Sequence, residues 1–306
     1  MPSNIAYFPY LLSVLHTPGV YYHTYTRPEP VGVVGQIIAW NFPLLMAAWK
    51  LAPALACGRT QVLKVAEETP LSALRLGESM QAAGLPSGVV NIVTGFDETA
   101  GAALASHTGI DKIAFTGTTE VGRMIVKAAA NDLKKVSLEL GGKSPDIVLS
   151  DADMDIAIPG AMNAIFFNQG ECCAAGLRLF VDQKVFDQVV EGIAEEAKQI
   201  KVGPGLDPKT QLRPWFRIGI LTGSPAISTR ALWKTRAVAG GKKGNGKGYF
   251  IEPTTLVDTK PGMKVVDEEI FGPVVVATPF NDMDDELVRQ ANNTIYGLAS
   301  GIWTAT

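Results

Sequence analysis

The sequence has few of the residues that could cross-link a fold or hold a metal ion. It contains only three cysteines and three histidines among 306 residues. Three cysteines cannot form a disulfide framework, and the histidines show no paired spacing typical of a zinc site. We therefore expect no metal. This cysteine usage also fits a reducing compartment, so a cytoplasmic location is expected.

Excess charge of one sign and long apolar runs are also missing. Lys and Arg number 27 against 30 Asp and Glu, a net charge of -3, so the chain lacks the basic surface of a nucleic-acid-binding protein. The apolar run at the start of the chain has no basic residues before it, and the run at 42–57 is too short for a bilayer and includes Lys50. No nucleic-acid partner and no membrane insertion are expected.

The usual glycine-rich phosphate loops are absent as well. No Gly-x-Gly-x-x-Gly motif occurs, and "ELGGKSP" is not a P-loop because Ser137 stands where the first glycine would be. Any dinucleotide must therefore be held in another way.

What the sequence does contain is a regular alternation of strands and helices from Val31 onward. The strands predicted for the first half are 31–39, 61–65, 88–95, 112–117 and 134–140. The predicted helices are 43–58, 69–84, 98–106 and 119–131, with Thr69 as the N-cap of the second. This alternation indicates βαβ units in a doubly wound parallel sheet, with ligands at the carboxyl ends of the strands.

A second α/β region begins near Glu139. Its predicted strands include 146–150 and 178–182, and its predicted helices are 153–168 and 184–200. The length of the chain is sufficient for two domains with separate cores.

Six motifs occur in a fixed order: "GQIIAWNFP", "LKVAEETP", "FTGTTEVG", "LELGGKSP", "FFNQGECC" and "EEIFGP". Together they resemble the aldehyde dehydrogenase superfamily, in particular its NAD-dependent members. The resemblance covers 25–211 and 238–303, and the stretches around "FFNQGECC" and "KVGPGLDPKTQ" are also similar to bacterial phenylacetaldehyde dehydrogenases.

The resemblance implies three regions in the chain. They are a divergent N-terminal segment over 1–30 with part of an oligomerisation strand, an NAD-binding domain over 31–138, and a catalytic domain over 139–306 that is incomplete at its C-terminus. The fold implied is α/β, with a doubly wound parallel sheet in the cofactor domain and a second α/β domain. A small aldehyde substrate and a homo-oligomeric assembly are the partners expected of the family.

The resemblance also explains why two cysteines stand side by side, an arrangement whose geometry disfavours a disulfide. It implies that Cys173 is the nucleophile and forms a thioester with the substrate. We interpret Cys57 as a small buried hydrophobic residue, and the same interpretation is a fair one for Cys172.

Three further residues have implied catalytic roles. The side-chain amide of Asn41, together with the backbone N–H of the nucleophile, would stabilise an oxyanion. Glu139 would activate the water that hydrolyses the thioester. Lys50 would belong to a proton path, although a lysine that extends from an apolar helix to water fits Lys50 equally well.

NAD is the implied cofactor. Lys64 and Glu67 resemble the residues that hold the adenine-side ribose, where a carboxylate accepts the hydroxyl groups and repels a 2′-phosphate. Gly117 and Thr118 precede a helix N-terminus, whose free N–H groups and dipole attract pyrophosphate.

The nicotinamide ribose and ring would be held by Glu269 and Phe271. The other residues expected to contact the cofactor are Ile37, Trp40, Phe115, Leu140 and Gly141.

Two features depart from the family pattern. Asp97 and Glu98 place carboxylates near the expected pyrophosphate and would weaken NAD binding. The segment 212–236 shows no family resemblance, and a pair of compensating frameshifts is one hypothesis for it.

Three functional alternatives follow from these observations. The first is an NAD-dependent aldehyde dehydrogenase, which the motifs favour. The second is a catalytically impaired fragment or pseudoenzyme of the same family, which the divergent segment and the short length favour. The third, an acylating dehydrogenase that uses coenzyme A, is disfavoured by Glu139, because such members tend to lack this base.

Overall fold

The structure is a computed structural model that describes residues 27–215, 235–242 and 248–305. The chain divides into two compact units, Met1–Glu139 and Leu140–Thr306. Within the described ranges, no helix has the length and apolar character needed to cross a membrane.

The first unit is built around five parallel strands: β1 (Val34–Ile37), β2 (Gln61–Lys64), β3 (Val90–Val93), β4 (Lys112–Thr116) and β5 (Lys135–Glu139). Their order across the sheet is β3-β2-β1-β4-β5, and every neighbouring pair is parallel. The strand order reverses between β1 and β4. In doubly wound sheets, ligands bind at the carboxyl ends of the two strands at such a reversal.

Four helices connect these strands: α1 (Pro43–Ala56), α2 (Leu71–Ala82), α3 (Ala102–Ser106) and α4 (Thr119–Ala129). Apolar side chains of α1, including Met46 and Leu51, pack with Leu63 and Val65 in one hydrophobic cluster. Burial of a large aliphatic side chain contributes about 1.5–3 kcal/mol, so this cluster anchors α1 to the sheet.

Two predictions for this unit are corrected by the structure. Helix α2 begins at Leu71 with Pro70 at the N-cap position, so Thr69 is not the N-cap. The Thr69 hydroxyl instead donates a hydrogen bond to the carbonyl of Trp40 at 3.3 Å. The helix predicted over 98–106 is a π-helical turn at Asp97–Gly101 followed by the short α3.

The second unit contains a six-stranded sheet with the order β11-β6-β7-β10-β9-β8. Its strands are β6 (Pro145–Val148), β7 (Arg178–Asp182), β8 (Arg236–Ala239), β9 (Thr254–Val257), β10 (Val274–Phe280) and β11 (Gly301–Trp303). All neighbouring pairs are parallel except β8 and β9. In the described part of this unit, the α-helices are α5 (Met154–Phe166), α6 (Phe186–Gln199), α7 (Lys264–Asp267) and α8 (Asp285–Asn292). The predicted α/β fold class is confirmed.

The guanidinium of Arg178 ties three segments of the second unit together. Its Nε donates to the carbonyl of Lys143 at 2.8 Å, and its two terminal nitrogens donate to the carbonyls of Gln290 and Ala291 at 3.0 and 2.7 Å. The last two carbonyls belong to the final turn of α8, where unpaired carbonyl groups need donors. Arg178 therefore caps α8 from the start of β7.

Two regions singled out in the sequence fall mostly outside the described residues. For the N-terminal segment 1–30, only 27–30 are described, and for the divergent segment 212–236 only 212–215 and 235–236. Within the described part of the divergent segment, Leu212 and Trp215 are both buried.

A buried carboxyl group, that of Asp146 in β6, lies among glycines and an indole. Asp146 is 2% exposed, and its Oδ1 accepts a hydrogen bond from the Trp303 indole N–H at 2.9 Å. Among the described residues its Oδ2 has no hydrogen-bond partner. Burial raises the pKa of Asp146 to about 6, although the Trp303 bond opposes this shift.

We expect the Asp146→Asn variant to be more stable than the parent chain at pH 8 and to lose that advantage at low pH. The folded-state pKa lies above the ordinary value, so the stability linked to this group is complete below about pH 4 and is lost as the pH rises through about 6. Asparagine retains an acceptor for Trp303 and carries no charge. The gain at pH 8 should be at most about 3 kcal/mol.

Urea unfolding at pH 4.5 and pH 8 measures this difference. A stability gain that is the same at both pH values would contradict the assignment of a buried ionised carboxylate.

Candidate active site

Two consecutive glycines, Gly141 and Gly142, allow other groups of the second unit to approach the backbone closely. A Cβ atom at Gly141 would stand 2.4 Å from the carboxylate of Glu269, and one at Gly142 would stand 1.9 Å from the carbonyl oxygen of Cys173. The N–H of Gly142 donates to Glu269 Oε1 at 3.0 Å. Any larger residue at position 142 would collide with backbone, which cannot move as a side chain can. The glycine pair therefore brings Glu269 and the Cys173 backbone to one place.

The segment before the two cysteines has an unusual backbone. Asn168, Gln169 and Gly170 have φ values of 48°, 61° and 70°, and the left-handed region costs non-glycine residues energy. Gly170 is needed here because a Cβ would stand 2.2 Å from the carbonyl oxygen of Gly272. Such strain persists where the surroundings fix the backbone.

Arg213 supplies part of that fixation. Its backbone N–H and its Nε both donate to Gln169 Oε1 at 3.2 Å, and its Nη2 donates to Asn168 Oδ1 at 3.1 Å. Gln169 also donates to Asn168 Oδ1 at 3.1 Å. A single arginine thus holds the two strained residues that lead into the cysteine pair.

The two neighbouring thiols, Cys172 and Cys173, interact directly. The hydrogen bond from Cys173 lowers the pKa of Cys172 to about 6, with further help from the backbone N–H groups of Ala174 and Ala175. The same hydrogen bond, together with burial and the negative charge of Glu269, raises the pKa of Cys173. The pair therefore forms one thiolate readily, and a second ionisation is strongly opposed.

The structure corrects the interpretation of Cys172 and Cys57. Cys172 is only partly buried and hydrogen-bonds its neighbour, so it is more than a small hydrophobic residue. Cys57, at the C-cap of α1, is exposed, so the prediction that it is buried was wrong.

Glu269 lies in a mixed electrostatic environment. Burial raises the pKa of Glu269, whereas the hydrogen bond from Gly142 and the positive charge of Lys143 act in the opposite direction. Lys143 is 1% exposed and donates to the carbonyl of Val265 at 3.0 Å. Burial lowers the pKa of Lys143 to about 7. Phe271, two residues after Glu269, has a left-handed backbone with φ of 55°.

In the first unit, Lys64 ends β2 with a fully buried side chain. Its Nζ bonds the carboxylate of Glu67 at 3.0 Å and also that of Asp97. The Lys64 ammonium group has two carboxylate partners and therefore fixes the positions of both. The two carboxylates lie nearer to water than the buried ammonium group. Asp97, expected to repel a phosphate, has its charge offset by Lys64.

The N-terminus of α4 is formed as the sequence predicts. The Thr118 hydroxyl accepts a hydrogen bond from the N–H of Val121 at 3.3 Å, so Thr118 is the N-cap. A Cβ at Gly117 would stand 2.5 Å from the ring of Phe115, which is buried at the end of β4. Gly117 thus allows the chain to turn over Phe115 into the helix. On the neighbouring strand, Ile37 is buried at the carboxyl end of β1.

Lys50 and Glu139 interact within the first unit. Burial in α1 lowers the pKa of Lys50 to about 8, and the negative charge of Glu139 partly opposes this shift. Asn41 and Trp40 lie between β1 and α1 and are half-buried. Glu139 ends β5 and is exposed.

The structure therefore brings the predicted site residues together in three groups. Lys50 is grouped with Glu139, and Lys64 with Glu67. Gly141, Cys173 and Glu269 form the third group, and Leu140 begins the unit that holds it.

Three residues of the site, Gln169, Arg213 and Lys143, were not predicted from sequence patterns. Arg213 lies 44 residues after Gln169, in the segment 212–236 for which the motifs suggested no family resemblance, so no local pattern connects them. For Lys143 the signal was present, since a lysine directly after two glycines in a buried segment must have partners.

Comparison with known proteins gives a consistent result. The sequence pattern of the family described as "Aldehyde dehydrogenase family" matches residues 10–306. Retinal dehydrogenase 2 from Homo sapiens is 50% identical over 285 residues, which cover 92% of this chain and 55% of that protein. Mitochondrial aldehyde dehydrogenase from Homo sapiens is 51% identical over 287 residues, with the same two coverages.

Solved structures of aldehyde dehydrogenases are also similar to this chain. The NAD+ complex of an aldehyde dehydrogenase from Bacillus cereus has a TM-score of 0.89 at 47% identity, covering 92% of this chain and 57% of that one. Betaine aldehyde dehydrogenase from Staphylococcus aureus, in complex with NAD+, has a TM-score of 0.85 at 38% identity, covering 90% and 56%. The chain thus spans little more than half the length of these relatives.

We expect Gly142→Ala to disturb the cysteine segment and Gly297→Ala to leave it unchanged. The first Cβ would stand 1.9 Å from the Cys173 carbonyl oxygen, whereas a Cβ at Gly297 meets nothing within 4 Å. Thermal unfolding and the rate of thiol alkylation at pH 7 measure the effect. Gly142→Ala should lower the melting temperature by several degrees and change the alkylation rate of the cysteine pair by about tenfold or more. Equal behaviour of the two variants would contradict the close backbone approach.

Proposed function

The chain belongs to the aldehyde dehydrogenase family, and from this premise we propose that it oxidises an aldehyde to a carboxylic acid with NAD+ through a thioester on Cys173. The observation that carries the proposal is the group formed by Gly142, Cys173 and Glu269. In this group the half-buried carboxylate of Glu269 and the backbone carbonyl of Cys173, which belongs to the ionisable thiol pair, lie against Gly141 and Gly142. The substrate is a small-molecule aldehyde.

The nucleophile in this proposal is the thiolate of Cys173. The hydrogen bond from Cys173 favours Cys172 as the thiolate of the pair, so the proton of Cys173 passes to the thiolate sulfur of Cys172 as attack begins. The sulfur of Cys173 then forms a bond to the aldehyde carbon, and the carbonyl oxygen becomes an oxyanion. Cys172 thereby acts as the proton acceptor for its neighbour.

The residues of the first unit fit a dinucleotide. Lys64 holds Glu67 in place through an ion pair, and a carboxylate so held can accept the two hydroxyl groups of a ribose. The N-terminus of α4, capped by Thr118, presents backbone N–H groups suited to pyrophosphate. Gly117, Phe115, Ile37 and Trp40 would contact the cofactor along β1 and β4.

On the nicotinamide side, Glu269, Phe271, Leu140 and Gly141 would hold the ribose and the ring. Bound NAD+ would supply the hydride acceptor that turns the cysteine adduct into a thioester. Glu269 would bind the ribose through its carboxyl group, which the N–H of Gly142 holds in place at 3.0 Å.

Asn41, Glu139 and Lys50 have roles in the remaining chemistry. The amide of Asn41 would donate to the oxyanion, a contribution typically worth ~10²–10³ in rate. Glu139, exposed at the end of β5, would take a proton from the water that attacks the thioester. Lys50, whose pKa is about 8, would then accept that proton and release it to solvent. We further propose a cytoplasmic, homo-oligomeric enzyme, with an NAD-binding domain over 31–138 and a catalytic domain from 139 onward.

We expect Cys173→Ala to abolish NADH formation and Cys172→Ala to retain it. In Cys172→Ala the remaining thiol loses its hydrogen-bonded partner, so the rise of activity with pH should move to higher pH by about one unit or more. Pre-steady-state NADH fluorescence with an aromatic or aliphatic aldehyde measures both variants. Loss of activity in Cys172→Ala with retention in Cys173→Ala would assign the nucleophile to Cys172 instead.

We expect Glu139→Gln to release one equivalent of NADH rapidly and then to turn over ~10²–10⁴ times more slowly than the parent chain. Without the base, the thioester forms but is hydrolysed slowly. Intact-mass measurement should detect the acyl group on the protein. Glu78→Gln, an exposed site on α2, is the control and should turn over normally. Steady turnover in Glu139→Gln without a burst would contradict the role of this base.

If the chain binds NADH, as shown by quenching of the protein's tryptophan fluorescence, but forms no NADH with any aldehyde tested, the result would instead support the catalytically impaired alternative.

A further inference from the structure

Helix α1 contains a defect at Pro53. Proline has no N–H group, so the carbonyl four residues earlier, that of Trp49, loses its helical donor, and the proline ring pushes this turn apart. The turn before Pro53 includes Lys50 and Leu51. The helix therefore lacks one backbone hydrogen bond in the turn that includes Lys50.

Two buried glutamines of the sheet bond this turn. Gln36 in β1 is 1% exposed and Gln61 in β2 is 0% exposed. The Nε2 of Gln36 donates to the carbonyl of Lys50 at 2.9 Å, and the Nε2 of Gln61 donates to the carbonyl of Leu51 at 3.3 Å. Two successive helix carbonyls are thus connected to the two strands beneath them.

The two glutamines also bond each other. Gln36 Nε2 donates to Gln61 Oε1 at 2.7 Å, so one amide serves the helix and the neighbouring side chain together. The parallel pairing of β1 with β2 sets Gln36 opposite Leu63 and Gln61 opposite Val34, so the two glutamines lie two register positions apart on one face of the sheet. A buried amide costs free energy unless it is hydrogen-bonded, and an aliphatic residue would fill either position without that cost. The pair therefore has a positional purpose.

The position of this turn determines the surroundings of the Lys50 ammonium group. Glu139 of β5 attracts it, and Lys112 of β4 repels it. Lys112 in turn faces Arg59 and Lys135. A shift of α1 along the sheet would change the balance between these charges and would admit water to the amine.

We propose that Gln36 and Gln61 are positioning residues for Lys50. They hold the Lys50 turn of α1 at the distance from the sheet at which the lysine amine can receive a proton from Glu139. The proposal deepens the proposed function and rests on it.

The step that they support is the hydrolysis of the thioester. The water oxygen forms a bond to the acyl carbon while one water proton moves to Glu139. The carbon–sulfur bond breaks, and Cys173 leaves as a thiolate. The proton on Glu139 passes to the neutral amine of Lys50. The amine is present in part near neutral pH, because burial lowers the pKa of Lys50 to about 8.

The test measures the pKa of the Lys50 amine in the variants Gln36→Met and Gln61→Met. Methionine has nearly the length of glutamine but donates no hydrogen bond. Competitive acetylation with acetic anhydride from pH 6 to 11, read by mass spectrometry of the Lys50 peptide, gives the pKa of its amine without any need for activity. We expect a value near 8 in the parent chain and an upward shift of about one unit in Gln36→Met, with a smaller shift in Gln61→Met, whose bond to α1 is longer.

Ile113→Val is the matched control. Ile113 is a fully buried residue of β4, and this change costs roughly 0.5–1.5 kcal/mol without removing a hydrogen bond. It should lower the melting temperature and leave the Lys50 pKa unchanged. A Lys50 pKa equal to that of the parent chain in both glutamine variants would overturn the proposal and leave the pair a purely structural element.

The pH profile of thioester hydrolysis provides the second readout. In Gln36→Met the rising limb should move to higher pH in step with the Lys50 pKa. If Lys50→Met hydrolyses its thioester with the parent pH profile, Lys50 carries no proton and the positioning role is overturned. If the parent chain forms no NADH at all, the proposed function fails, while the acetylation experiment still decides whether the glutamines position Lys50.

Discussion

The absence of side chains at Gly141 and Gly142 is the constraint on which the site of the second unit depends. The Cys173 carbonyl and the Glu269 carboxylate both occupy space that a Cβ atom would take. Because of this, a backbone N–H can bond the carboxylate directly, and the two chain segments that carry a thiol and an acid meet without intervening side chains. Residues at 168–170 then accept a strained backbone to bring the cysteine pair to that position.

A second theme is the use of buried polar groups to fix backbone rather than to contact ligands. Arg178 bonds three carbonyls, Lys134 bonds the carbonyls of Ala105 and His107, and Gln36 and Gln61 bond those of α1. Each such group would cost about 1–3 kcal/mol if left unpaired in the interior. Since the bonds are long-range in sequence, they hold helices and loops at defined heights over the sheets.

Periodicity predicted the parallel sheet of the first unit because each βαβ step is encoded locally by an apolar run and a turn. The motifs predicted that Cys173 and Glu269 belong to one site, and the structure groups them around Gly142. Local patterns could not predict that Lys64 lies fully buried between two carboxylates, since Asp97 is 33 residues away. They failed equally for Thr69 and for the π-helical turn at Asp97–Gly101, where side-chain bonds and a change of helical hydrogen bonding override local preference.

Arg213 and Trp215 stand at the beginning of the segment 212–236, for which the motifs alone predicted no family resemblance. Arg213 holds the strained residues before the cysteines, and the ring of Trp215 occupies the space beside Gly272 that a Cβ would enter. A substitution at residue 213 would therefore remove three hydrogen bonds from the segment before the cysteines, although the two lie more than forty residues apart in the sequence.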